Sequence, residues 1–299
     1  MIKKIKSEKI ISELLEFGII NIDKPSGPTS FYISDFVRKT LKQFGVRKTS
    51  HFGTLDPKVT GVLPVALNRA CKLTGFFLGE DKEYIGIMRI HKEISLKEIE
   101  KAIKEKFLGV ITQKPPKRSR VKRQERQREV KEFKLLEENG KDILFRAKVQ
   151  GGTYIRKLLS DLGDYMKIGA HMLELRRIRA GIFSENNKNY PSINLFDFVE
   201  AVEEYKNGKV NAEKKLRKII TPAEIISKIY LMVKVKKTSL EKLLTGKPIL
   251  KEDLEKIEKL DKDRIISVFS EKRFIGMYKV VNESKVFAKP RFVLQPIKV

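Results

Sequence analysis

Within Ser50–Leu73, SHFGTLDPKVTGVLPVALNRACKL, the one acidic residue is Asp56. Gly53 and Gly61 bracket it with positions open to positive φ, and Pro57 fixes its own φ while disfavouring helix at Asp56. The VLPVAL run after Gly61 is apolar and too short for a typical helix, so it reads as a buried strand. The spacing predicts a carboxylate held on a rigid bend, as a nucleophile or general base requires. The same Asp-Pro-Lys also fits a solvated turn in which Asp56 bonds its own backbone, and local chemistry leaves both readings open. Three scattered histidines (His51, His91, His171) and the single Cys71 provide neither metal-ligand spacing nor an intrachain disulfide.

Two other side chains stand where an element could position them for chemistry. KEYIGIMRI alternates in strand fashion and puts Tyr84 at a strand start, a place that equally suits an ordinary half-buried aromatic. Gly151-Gly152-Thr153 leads into a helix whose buried stripe is Ile155, Leu158, Leu159, Leu162 and Met166, with Thr153 as cap and Arg156 in the first turn. A cation there opposes the helix dipole by about 0.3–1 kcal/mol. An anion against Arg156, either Asp56 or a substrate phosphate, relieves this; an exposed arginine that tolerates the dipole fits as well.

Around these lie a short strand, GIINIDK, a helix capped by Ser30 with Ile33, Phe36, Val37 and Leu41 inward, and a helix opened by a Ser95–Glu98 capping box. A further strand covers Asp142–Val149, and GAHMLELRRIRAGIF reads as strand and turn. Residues 1–17 form a basic, then amphipathic, arm expected to dock on the C-terminal domain, and residues 184–227 are polar and then helical. From Ile229 the pattern changes to short strands, which marks a separate small β domain. Helices and strands occur together along the chain, and an α+β fold is expected.

The 299 residues suit about two domains, and 64 Lys+Arg against 38 Asp+Glu give a net charge of +26. That excess points to a polyanionic partner, nucleic acid before an anionic membrane. No apolar run approaches the ~20 residues of a membrane span, and MIKKIKSEK lacks the apolar region of a signal peptide, so a cytoplasmic protein is expected. Lys114–Arg128 holds eight basic residues against one Glu. It reads either as a solvated charge run or as a phosphate-binding stretch, in which Lys117, Arg118, Arg120, Lys122, Arg123 and Arg126 contact RNA.

GTLDPKVTGVLPVAL, the KEY tripeptide, PPKRSRVKR, GTYIRKLLSDLG and GAHMLELRRIRAGIF, in this order, resemble the TruB/dyskerin family of RNA pseudouridine synthases over roughly residues 18–185. The DPKVTG wording and the short link from the Tyr84 strand to Pro115 are most similar to the archaeal box H/ACA ribonucleoprotein subunit. The tail from about 228 resembles a PUA domain. The resemblance implies a mixed, largely antiparallel sheet flanked by helices over 18–227, with a small barrel-like PUA domain over 228–299. It implies that Asp56 is catalytic, that Tyr84 stacks on the target base near the proton to be removed, and that Arg156 pairs with Asp56 in an apolar pocket. It further implies that Leu175, Tyr154 and His51 line that pocket. The expected reaction isomerises uridine to pseudouridine without a cofactor. Guide RNA, substrate rRNA or tRNA and small accessory proteins are the expected partners, with no membrane. Ser50, Asn68 and Ile182 depart from the family's Gly, Gly and Pro. The rival readings are a stand-alone tRNA uridine-55 synthase and a non-catalytic RNA-binding scaffold.

Overall fold

Two strands whose residues are largely apolar on both faces lie at interior positions of the chain's larger sheet. These are β1 (Gly18–Lys24) and β3 (Thr60–Leu67), each buried at nearly every position. Such runs of Ile, Val and Leu without alternation are what a strand covered on both sides needs. The computed structural model describes residues 1–115, 122, 124–256 and 259–296.

Nine further strands complete the larger sheet among the described residues: β2 (Thr49–His51), β4 (Lys82–Ile90), β5 (Gly109–Gln113), β6 (Arg126–Asn139), β7 (Asp142–Val149), β8 (Ala170–Ala180), β9 (Phe183–Ser184), β10 (Ser192–Ile193) and β11 (Ile220–Pro222). The order is β10-β1-β3-β8-β4-β7-β6-β5, with β11 on β1, β2 on β3 and β9 on β8. The β1–β10 and β3–β8 pairs are parallel and the rest antiparallel. The charge run therefore ends in a strand: Arg126 and Arg128 belong to β6, whose ladder with β5 pairs Arg126 with Gln113.

Among the described residues eight α-helices accompany this sheet: α1 (Ile2–Glu8), α2 (Ile11–Glu16), α3 (Ser30–Thr40), α4 (Thr74–Leu78), α5 (Leu96–Ala102), α6 (Ile155–Tyr165), α7 (Leu195–Lys206) and α8 (Ala212–Ile219). One core joins Ile20, Ile22, Leu63 and Val65 of the sheet to Leu14, Ile33, Val37, Ile99, Leu158, Leu162 and Phe198 of the helices. In α6, burial of Ile155, Leu158, Leu159 and Leu162 at helical spacing contributes about 1.5–3 kcal/mol per side chain and holds the helix on the sheet.

The C-terminal part is a curled five-stranded sheet of order β12-β14-β15-β16-β13, namely β12 (Met232–Lys234), β13 (Ile249–Leu250), β14 (Ile265–Ser270), β15 (Arg273–Glu283) and β16 (Val286–Val293), with α9 (Leu240–Leu244). A second core cluster includes Ile19 and Val62 of the large sheet, Ile2 and Ile5 of α1, and Phe269, Phe274 and Met277 of the small one. An ion pair of Lys272 with Glu8 at 2.8 Å lies on the same side. No helix of the described residues is long and apolar enough to cross a membrane.

Two expected caps are displaced by one residue. Thr29, not Ser30, caps α3 by accepting from the Tyr32 N–H. Tyr154, not Thr153, is the N-cap residue of α6, and the Thr153 hydroxyl donates to the Gln150 carbonyl. At the family's glycine position Asn68 adopts φ +43°, a conformation that asparagine tolerates, and its Oδ1 accepts from the Arg47 N–H at 2.8 Å.

Candidate active site

Asp56 sits in a loop pinned from four directions. The Ser30 hydroxyl donates to the Leu55 carbonyl at 2.8 Å, and its oxygen accepts from the Leu55 N–H at 2.7 Å. This work for Ser30 explains why the neighbouring Thr29 does the capping. The Gly27 N–H donates to the Pro57 carbonyl at 2.9 Å. Lys24, fully buried, donates from Nζ to the carbonyls of Pro25 (2.8 Å), Pro57 (2.9 Å) and Val59 (2.8 Å). Arg177, also buried, donates from Nε to Val62 O at 2.8 Å and from Nη2 to Gly53 O at 3.0 Å.

The bracketing glycines answer to the same packing. Gly61 has φ +99°, and a Cβ there would lie 2.2 Å from the Arg177 carbonyl, where β3 meets β8. Gly53 has φ +106°, with the Arg177 guanidinium 3.3 Å from where its Cβ would be.

The first turn of α6 brings Arg156 to this loop, its Nε 2.8 Å from Asp56 Oδ2. The dipole-opposed arginine thus finds its anion. The two side chains are 46% (Asp56) and 52% (Arg156) exposed, so among the described residues nothing gives the pair the expected apolar enclosure. The reason is topological: the pair joins a loop edge to the first turn of a helix.

Tyr84 and Leu175 are buried side by side. On the β4–β8 ladder Tyr84 faces Arg177 and Gly86 faces Leu175, which makes Tyr84 and Leu175 diagonal neighbours, and both join the main core. Gly86 admits Leu175, since a Cβ on it would come 2.8 Å from Leu175 Cδ1. The Arg177 guanidinium also interacts with the Tyr84 phenol. Half-buried on β2 lies His51, beside Val65 of β3; burial, with the Arg177 charge, pushes its imidazole down to about 4. Tyr154 precedes Arg156 by two residues, and its N–H and C=O are both bound by the Gln113 side-chain amide.

Asp56 and Arg156 are therefore in direct contact, while Tyr84 lies on β4, Leu175 on β8 and His51 on β2. Of the proposed RNA contacts, Lys122 is exposed and Arg126 half-buried on β6, while Lys117, Arg118, Arg120 and Arg123 lie outside the described residues. Lys24, Arg177 and Gln113 escaped the sequence reading. Only the Lys-Pro-Ser-Gly turn after β1 and the Arg pair after Leu175 offered any signal, and a lysine or arginine in a basic chain does not announce burial. Among the described residues no group of three or more His, Cys, Asp or Glu side chains could hold a metal.

The model of the TruB family pseudouridylate synthase N-terminal domain matches residues 41–155, and that of the tRNA pseudouridylate synthase B C-terminal domain matches 156–227. The boundary between the two falls in the first turn of α6, just before Arg156. A protein of Nanoarchaeum equitans named probable tRNA pseudouridine synthase B is 46% identical over 226 residues, which is 74% of this chain and 62% of that protein. The chain thus spans less than two thirds of that relative's length. A solved Cbf5–Nop10–Gar1 complex contains a chain that matches with a TM-score of 0.87 at 33% identity, covering 97% of this chain and 89% of that one. An H/ACA RNP bound to a substrate RNA containing 2′-deoxyuridine matches with a TM-score of 0.86 at 32% identity and the same coverage. With both family models placed end to end over residues 41–227, which hold Asp56, Tyr84 and Arg156, this chain belongs to the TruB family of pseudouridine synthases.

Proposed function

We propose that this chain isomerises chosen uridines of RNA to pseudouridine, with Asp56 as the catalytic residue, on targets selected by an H/ACA-type guide RNA. The observation that carries the catalytic part is the Arg156 guanidinium on the Asp56 carboxylate at 2.8 Å. The reaction breaks the C1′–N1 bond, turns the uracil and forms C1′–C5. One proton leaves C5 and one ends on N1, so no further reactant is needed.

Each residue then has a task. Arg156 orients the carboxylate toward the nucleotide and keeps a cation beside it, and buried Lys24 adds a second behind the loop. Tyr84 and Leu175 supply the surface on which a base flipped from its stack is held, with the Tyr84 phenol near the C5 proton. His51, neutral at pH 7, and Tyr154 border the base. The basic run from Lys114 to Arg128 and the remaining positive surface bind phosphates.

The guided reading is supported by similarity that extends over 97% of the chain, the C-terminal sheet included, to the H/ACA RNP chain. That sheet, read as a PUA domain, anchors the guide, and small accessory proteins of the kind found in the Cbf5–Nop10–Gar1 complex complete the particle. The name of the Nanoarchaeum relative favours a second reading, tRNA as substrate. The test compares wild type and Asp56→Asn on a ribosomal RNA fragment with and without guide, and on a tRNA stem-loop. We expect guide-dependent product from wild type and none from the variant, with RNA affinity within a few-fold. Product from Asp56→Asn would overturn the catalytic assignment, and equal rates without guide would overturn the guided one.

A further inference from the structure

Gln113 ends β5 and is 3% exposed, and its side chain bonds to main-chain groups. Its Nε2 donates to the Tyr154 carbonyl at 3.2 Å and its Oε1 accepts from the Tyr154 N–H at 3.0 Å. This two-point grip copies a strand rung, and it falls on the residue that precedes α6. Helix N-termini have free N–H groups and fray, so the start of a helix is placed only as well as its cap holds it. The core stripe of α6 fixes the helix against the sheet, whereas the Gln113 amide fixes where its first turn stands.

That first turn carries Arg156, two residues and about 3 Å of helix rise beyond Tyr154. We infer that Gln113 is a positioning residue: by clamping the Tyr154 main chain it sets the point at which Arg156 meets Asp56. Neighbouring ties run the same way. The β5–β6 ladder places Gln113 opposite Arg126, and the Gln150 side chain accepts from the Glu129 N–H at 3.2 Å. The end of the β5–β6 pair is thus stitched to the Gln150–Tyr154 turn, and the Gln113 stitch falls on the residue at the start of the helix that carries Arg156. This inference rests on the proposed roles of Asp56 and Arg156.

The experiment measures the single-turnover rate at saturating RNA, and the RNA concentration giving half of it, for wild type, Gln113→Leu, Gln113→Glu, Arg156→Ala and the double variant Gln113→Leu/Arg156→Ala, with Asp56→Asn as the zero. Gln113→Leu should slow the saturated rate by on the order of tenfold to a hundredfold, as displacement of a reacting group by about 1 Å does, with the half-saturating RNA concentration within about threefold of wild type. The double variant should be no slower than Arg156→Ala, because both act through one contact. Gln113→Glu adds a readout that mere folding support would not move. Its neutral carboxyl donates and accepts as the amide does, while the carboxylate has no donor, and burial raises the pH at which it ionises. Its rate relative to wild type should therefore climb as pH falls from about 8 to about 6, and this pH ratio decides the matter should Gln113→Leu fail to fold. A wild-type rate in Gln113→Leu, a loss confined to RNA affinity, a double variant slower than Arg156→Ala, or a flat Gln113→Glu ratio would each overturn the inference. Activity in Asp56→Asn would instead overturn the site itself, whatever Gln113 does.

Discussion

Replacing Lys24 with Met isolates the support beneath Asp56. Methionine keeps the linear stem and much of the volume but deletes the ammonium that three carbonyls share. Each bond from a charged donor contributes about 1.5–3 kcal/mol, some 5–9 kcal/mol in all. Against this, the burial of an ammonium costs several kcal/mol, a penalty the variant no longer carries. The burial penalty also holds the Lys24 ammonium below the usual lysine range. The expected net loss is about 2–4 kcal/mol, which lowers the melting temperature by roughly 5–15 °C. Activity at a temperature well below the melt should fall by about tenfold or less, because Ser30, Gly27 and Arg177 still hold the loop. Thermal melts at pH 7 and single-turnover isomerisation on the same preparation read the two effects separately. A melting temperature within about 2 °C of wild type would refute the role given to the buried ammonium.

Two more outcomes follow from the same loop. Gly61→Ala puts a Cβ 2.2 Å from the Arg177 carbonyl at φ +99°, so it should cost on the order of 3 kcal/mol or more and part β3 from β8; a melt close to wild type would contradict that geometry. For His51, a folded-state value of about 4 against the ordinary 6.5 means that the unfolded chain takes up the proton first. The stability it contributes is complete above about pH 6.5 and drains away as pH falls toward 4. His51→Asn should therefore lose less melting temperature than wild type between pH 7 and 5, and equal losses would show that His51 is not the group responsible.

Sequence alone determined the features that depend on neighbours along the chain. Asp56 on a bend follows from Gly53, Pro57 and Gly61, whose backbone limits are local. The strands at Tyr84 and at Asp142–Val149 follow from period-two burial, and the placement of Arg156 in a helix's first turn follows from the 3.6-residue stripe behind it. The large positive charge belongs to the composition itself. Two of these local readings still missed by one residue at the caps, because Ser30 is drawn off by Leu55 and Thr153 by Gln150.

Only the tertiary structure decided which distant groups meet. Arg156 lies a hundred residues beyond Asp56 in number, and nothing local distinguishes an arginine that tolerates a helix dipole from one that answers a carboxylate. The run Lys114–Arg128 looked uniform in charge, yet its end is a strand whose register with β5 sets Arg126 opposite Gln113. Lys24, Arg177 and Gln113 are polar residues whose burial arises only when β1, β8 and β5 close over the Asp56 loop and the α6 N-terminus. Hydrogen bonds to main-chain carbonyls and amides then compensate that burial, and those partners carry no side-chain signature. A site assembled through backbone atoms of remote segments is for that reason invisible to residue type and spacing, and becomes legible once the sheet order is known.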